Sequence, residues 1–150
     1  MKQLDFTVRI NAPQAKVWNT LWSDDTYRKW TAVFHEGSHA ESDWKEGSKI
    51  LFLDESGQGG MSSLISRLIP NEFMSFQHLG IIKDGVEDFE TAEAKGWSGA
   101  MENYTLLEKD GGTELRVEVD SSDSDEHNFV DYFRETFPKA LQRVKEMAEG

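Results

Sequence analysis

The chain has 150 residues, 37% of them apolar, with nine Phe, five Trp and a formal net charge of −12. That length and composition suit one domain, 1–150, with a real hydrophobic core, and they exclude a disordered chain. The absence of cysteine excludes disulfides, thiolate metal sites and a cysteine nucleophile, and the negative charge repels nucleic acid and anionic membrane surfaces.

The opening "MKQLDFTVRI" has no apolar signal core, and no stretch approaches the ~18 apolar residues of a membrane span. A cytoplasmic protein without membrane insertion is expected. In "LDFTVRINA", Leu4, Phe6, Val8 and Ile10 alternate with Asp5, Thr7 and Arg9, the pattern of a half-buried strand. Pro13 stands where a helix can begin, with Asn11 as its expected cap. Ala15, Val17, Trp18, Leu21 and Trp22 follow at helical spacing, and "SDDTYRKW" reads as a cap and a second short helix ending near Trp30.

"HEGSH", residues 35–39, then matches the H-E-x-x-H zinc signature. Two histidines share one zinc when their rings converge, as i and i+4 do on a helix. Gly37 costs such a helix about 1 kcal/mol relative to Ala, and no amphipathic stripe surrounds it. Ser42 and Lys45 stand where a metzincin carries Gly and His. The stretch reads as an extended segment leading to a turn around Asp43 to Gly47. On a strand, His35 and His39 would lie about 13 Å apart, so no metal site is expected.

"SKILFLDESGQGG" reads as a strand and a Gly-rich hairpin turn, and "MSSLISRLIPNEFMSFQHLGII" as two strands broken at Pro70–Asn71. "KDGVEDFETAEAKG" is polar and reads as a loop. "WSGAMENYTLLEKDGGTELRVEVD" reads as a hairpin turning at Asp110–Gly111–Gly112. The register of Tyr104 to Leu107 stays ambiguous, because "YTLL" does not alternate cleanly. After the polar run "SSDSDE", the residues Phe129, Val130, Phe133, Phe137, Ala140, Leu141, Val144 and Met147 form a helical stripe interrupted by Pro138. The order predicts an α+β fold: a curved antiparallel sheet of six to seven strands, two short helices after the first strand, and a long C-terminal helix across the concave face.

These segments resemble the START-like, or SRPBCC, superfamily with its helix-grip fold, and within it the Aha-type branch named for activators of the heat-shock-protein-90 ATPase. The stretches that carry the likeness are "INAPQAKVWNTLWSDDTYRKW", "EGSHAESDWKEGSKILFL", "PNEFMSFQH", "ENYTLLEKDGGTELRVEV" and "FPKALQRVKEMAE". The resemblance implies a strand over Phe34 to Ala40 and a cavity between the long helix and the sheet. It also implies a small hydrophobic molecule, lipid-like or polyketide-like, as ligand, or alternatively a chaperone as partner. A free sheet edge would allow a homodimer.

The expected lining residues are Trp30, Phe34, Phe52, Met74, Phe76, Phe129, Phe133 and Phe137, although aromatic stripes also serve as ordinary core. Met74, Phe76 and His78 share a face by alternation, so His78 is expected at the cavity as a neutral imidazole without a charge partner. Trp97 is expected to cap the cavity mouth or to cover a sheet edge. No catalytic residues, metal or cofactor are assigned. Some members of the superfamily are cyclases or hydrolases, and in that alternative His78 is the general base.

Overall fold

The computed structural model describes residues 1–121 and 129–150; the polar run after Ser121, and His127 with it, lie outside them. The elements in chain order are β1 (Lys2–Ile10), α1 (Gln14–Trp22), α2 (Asp24–Thr31), β2 (His39–Ser42), β3 (Lys49–Leu53), β4 (Gly60–Ile69), β5 (Phe73–Lys83), β6 (Val86–Asp88), α3 (Ala92–Trp97), β7 (Met101–Lys109), β8 (Gly112–Ser121) and α4 (Phe129–Glu149). The strands form one eight-stranded antiparallel sheet in the order β1-β8-β7-β5-β4-β3-β2, with β6 paired to β5 beside that path. This is the α+β helix-grip architecture.

The alternation of β1 sets its register. Leu4, Phe6 and Val8 stand opposite Val119, Val117 and Leu115 of β8, so apolar side chains meet on one face. The ambiguity at Tyr104 to Leu107 resolves the same way: Tyr104 and Leu106 are buried while Leu107 is exposed. At the turn joining β7 to β8, Asp110 and Gly111 both take positive φ, 50° and 80°, as a two-residue hairpin turn requires. Gly112 already belongs to β8.

Trp22 gathers the core. Its ring lies within 6.4 Å, centroid to centroid, of Trp18, Tyr27, Trp30, Trp44, Phe76 and Tyr104. The buried Trp30 indole N–H donates to the Leu21 carbonyl at 3.0 Å, fastening α2 to α1. α4 runs unbroken through Pro138 and buries Phe137, Ala140, Leu141, Val144 and Ala148. Phe137 stacks on Phe6 of β1 at 5.0 Å, and Arg143 donates to the Lys29 carbonyl of α2 at 2.9 Å.

Four expectations are corrected. The sheet has eight strands, not six or seven, because the polar stretch after Lys83 contributes β6 and then α3. α1 has no side-chain cap: Pro13 occupies the cap position, and the Asn11 backbone N–H donates to Glu149 Oε2 at 2.8 Å instead. The strand expected from Phe34 begins only at His39. Residues 32–37 form turns, and Gly37, at φ 86°, packs against Glu55: a Cβ there would meet the Glu55 Cβ at 2.3 Å. His35 therefore sits on a turn and His39 on a strand, with Nδ1 of each against a neighbouring backbone carbonyl. The helix on which i,i+4 ligation depends is not formed.

Candidate functional site

A cavity of about 620 Å³ lies between the concave sheet and α4, within the usual size of ligand pockets. Each neighbouring element contributes to its walls. α2 and the turn after it supply Tyr27, Trp30, Thr31 and Phe34. Strands β3, β4 and β5 supply Phe52, Met61, His78 and Ile81, β7 supplies Glu102 and Tyr104, α3 supplies Trp97, and α4 supplies Phe129, Phe133 and Phe137.

Most of the residues expected from sequence meet here: Trp30, Phe34, Phe52, His78, Trp97, Phe129, Phe133 and Phe137. Met74 and Phe76 do not. They face the same side of β5 as His78 but lie farther along the strand, under α1. Phe76 packs on Trp22 at 5.3 Å, and Met74 lines a smaller recess of about 230 Å³ with Trp18, Trp22 and Trp44. Alternation fixes which face a side chain takes, but not which helix covers that part of the face.

The cavity wall carries one polar row across three neighbouring strands. Ser63 Oγ of β4 lies 2.6 Å from His78 Nδ1 of β5. His78 Nε2 faces Glu102 Oε1 of β7 at 3.4 Å. The Tyr104 hydroxyl donates to Glu102 Oε2 at 2.6 Å. A carboxylate only accepts, so the proton on the ring is assigned to Nε2, and Nδ1 accepts from Ser63. His78 was expected without a charge partner; Glu102 is that partner. Ser63 is fully buried behind His78 and does not line the cavity.

Register explains the row. A bulge between Ser62 and Ser63 sets Ser63 opposite His78, and it leaves both serines buried. Ser62 bonds away from the row, to Glu87 Oε1 at 2.9 Å. On β7, Glu102, Tyr104 and Leu106 alternate inward, and a carboxylate in that inward series was the available signal for Glu102. The ambiguous "YTLL" obscured it.

The row also sets the electrostatics of the floor. Burial first, and then the charge of Glu102, push the Tyr104 hydroxyl well above its ordinary pKa. Burial and the same charge raise Tyr27. Both phenols stay neutral donors. The arrangement can hold a polar group against Glu102 and His78 while aromatic rings enclose an apolar body. As a base, His78 would first have to give up Ser63 or Glu102.

α3 contributes Trp97 to the cavity lining. Trp97 stands edge-on to His78 at 6.5 Å and to Phe129 at 4.9 Å. Thr91 Oγ1 caps α3 by accepting from the Ala94 N–H, and the segment after the helix is sewn to β5 by Gly99 N–H to His78 O and His78 N–H to Ala100 O, both 2.8 Å. Among the described residues, no group of three or more His, Cys, Asp or Glu could hold a metal ion, and no helix is long and apolar enough to cross a membrane.

Residues 11–149 match the family described as Activator of Hsp90 ATPase homolog 1-like protein. No curated protein matches the chain. Among solved structures, the chain is similar to the Aha1 dimer from Colwellia psychrerythraea, with 21% identity, TM-score 0.73, and coverage of 99% of this chain and 97% of that one. A Mesorhizobium loti protein aligns at 13% identity and TM-score 0.72 over 97% of this chain and 96% of its own. DynU16, of the dynemicin biosynthetic locus, aligns at 14% identity and TM-score 0.68, over 97% of this chain and 46% of its own. At these identities the likeness establishes the fold alone.

Proposed function

We propose that this chain, which belongs to the family of Activator of Hsp90 ATPase homolog 1-like proteins, binds one small, largely apolar molecule between its sheet and α4. The ligand is lipid-like or polyketide-like, a fused-ring or chain body with few polar groups. The observation that supports this reading is the cavity of about 620 Å³, walled by aromatic rings and carrying a polar row on one wall. Trp30, Phe34, Phe52, Trp97, Phe129, Phe133 and Phe137 enclose the body, and His78 with Glu102 orients the polar end. Apolar walls supply affinity through burial, and a few placed polar groups supply orientation.

The test is titration with N-phenyl-1-naphthylamine, a neutral apolar probe, with native mass spectrometry alongside. One probe per chain is expected, with weaker binding in Met61→Trp, whose larger ring narrows the cavity. Absence of both a fluorescence gain and a mass adduct in the unmodified protein overturns the reading.

The family match favours a second reading, in which the chain is a chaperone-associated module. Stimulation of a cognate chaperone's ATPase, with capture in a pull-down, would support it; neither occurring would remove it. A homodimer belongs to both readings, since the similar Colwellia protein is described as a dimer and β1 and β2 end the sheet path. Sedimentation equilibrium decides that point.

A further inference from the structure

We infer that the ligand of this cavity carries a cationic amine, set against Glu102; the inference rests on the ligand-binding reading above. Glu102 is the anionic member of the polar row, and its side chain keeps 21% of its surface accessible although it stands on the inner face of the sheet. Its two oxygens are served unequally. Oε2 accepts a short bond from Tyr104, at 2.6 Å. Oε1 has His78 Nε2 at 3.4 Å, longer than a good hydrogen bond. A carboxylate has about four acceptor sites, so this one retains capacity toward the cavity.

The lining around Glu102 is also aromatic. Aromatic faces attract a cation through their quadrupole, and Trp30 and Tyr104 line the cavity together with Glu102. On the rest of the described lining, Asp54 and Glu93 are acidic and Lys83 is basic, with His35 and His39 beside them. The chain as a whole carries −12, which raises the local concentration of cations and repels anions. A carboxylate placed beside Glu102 would meet a like charge, where an ammonium meets an opposite one. The same cavity that suits an apolar amine therefore rejects an apolar acid of the same shape.

Four probes of one shape separate the outcomes: 2-ethylnaphthalene, naphthalen-2-ylmethanol, naphthalen-2-ylmethylamine and 2-naphthoate, measured by calorimetry on the full chain at neutral pH. The amine should bind at least about tenfold more tightly than the alcohol, as a charge-assisted bond predicts, and 2-naphthoate should bind more weakly than the hydrocarbon. Glu102→Gln should abolish the advantage of the amine over the alcohol. Equal affinity for amine and alcohol, or preference for the acid, overturns this inference while leaving the ligand-binding reading intact. Binding of none of the four where N-phenyl-1-naphthylamine still binds overturns this inference alone; binding of neither the four nor that probe overturns both. The series on the unmodified protein decides the matter even where Glu102→Gln folds poorly.

Discussion

Ser63, His78, Glu102 and Tyr104 depend on one another, and each is at least partly removed from water. His78→Phe fits the aromatic wall but leaves the Ser63 hydroxyl without its partner in a fully buried position. The expected cost is about 1–3 kcal/mol, read as a lower denaturant midpoint at unchanged slope; no loss would mean that Ser63 finds another partner. The tyrosines give a second test. The chain has three, and all three have their pKa raised above 10.0, in each case first by burial. A folded-state pKa above the unfolded one means that the stability concerned is fully present below about pH 10 and is lost as pH rises past it. Tyr132 is the half-exposed one, with its hydroxyl donating to the Phe34 carbonyl at 2.6 Å. Alkaline ultraviolet titration should show it ionising first, with Tyr27 and Tyr104 following only as the fold is lost, and Tyr132→Phe should remove the early phase. Of this site, His78 was legible because inward alternation along β5 is clean. Glu102 was not, since one apolar doublet, Leu106–Leu107, hid the register of its strand.

Among the elements, β6 and α3 were the least legible. Their stretch is polar, α3 has only six residues with Gly96 inside it, and β6 has three; neither shows a period long enough to read. Tertiary seating defines them instead. Phe89 and the Asp88 carbonyl rest on Gly80 of β5, where a Cβ would come within 2.4 Å of that carbonyl and 2.6 Å of the Phe89 ring. Only a residue without a side chain permits that approach. Gly80→Val should therefore lift β6 from β5 and loosen α3 over the cavity. The expected result is faster amide exchange at Val86–Asp88 and Ala92–Trp97 with the β7–β8 hairpin unaffected; uniform exchange changes would mean that the segment does not open separately. α4, by contrast, was legible from its stripe, and Pro138 left it continuous because a long apolar face offsets one missing hydrogen bond.

At the scale of the molecule, the fold class was readable because two signals agreed: period-two strands with one apolar face, and a single long amphipathic helix to cover it. What covers which part of that face was not readable, and so Met74 and Phe76 were expected at the cavity. The same arrangement constrains the order of assembly. β1 lies beneath α4, with Phe6 against Phe137 at 5.0 Å and the Asn11 N–H bonded to Glu149, so the first strand waits for partners more than a hundred residues later. Such distant pairing slows folding. On the ribosome, the aromatic concave face stays wet until residues 129–149 have been made, and a face of that kind is prone to capture by other chains. A molecule that fills the cavity then acts on yield as well as on equilibrium: added during refolding from denaturant, 2-ethylnaphthalene should raise the recovered soluble fraction. The gain should shrink in Met61→Trp, whose cavity is narrowed.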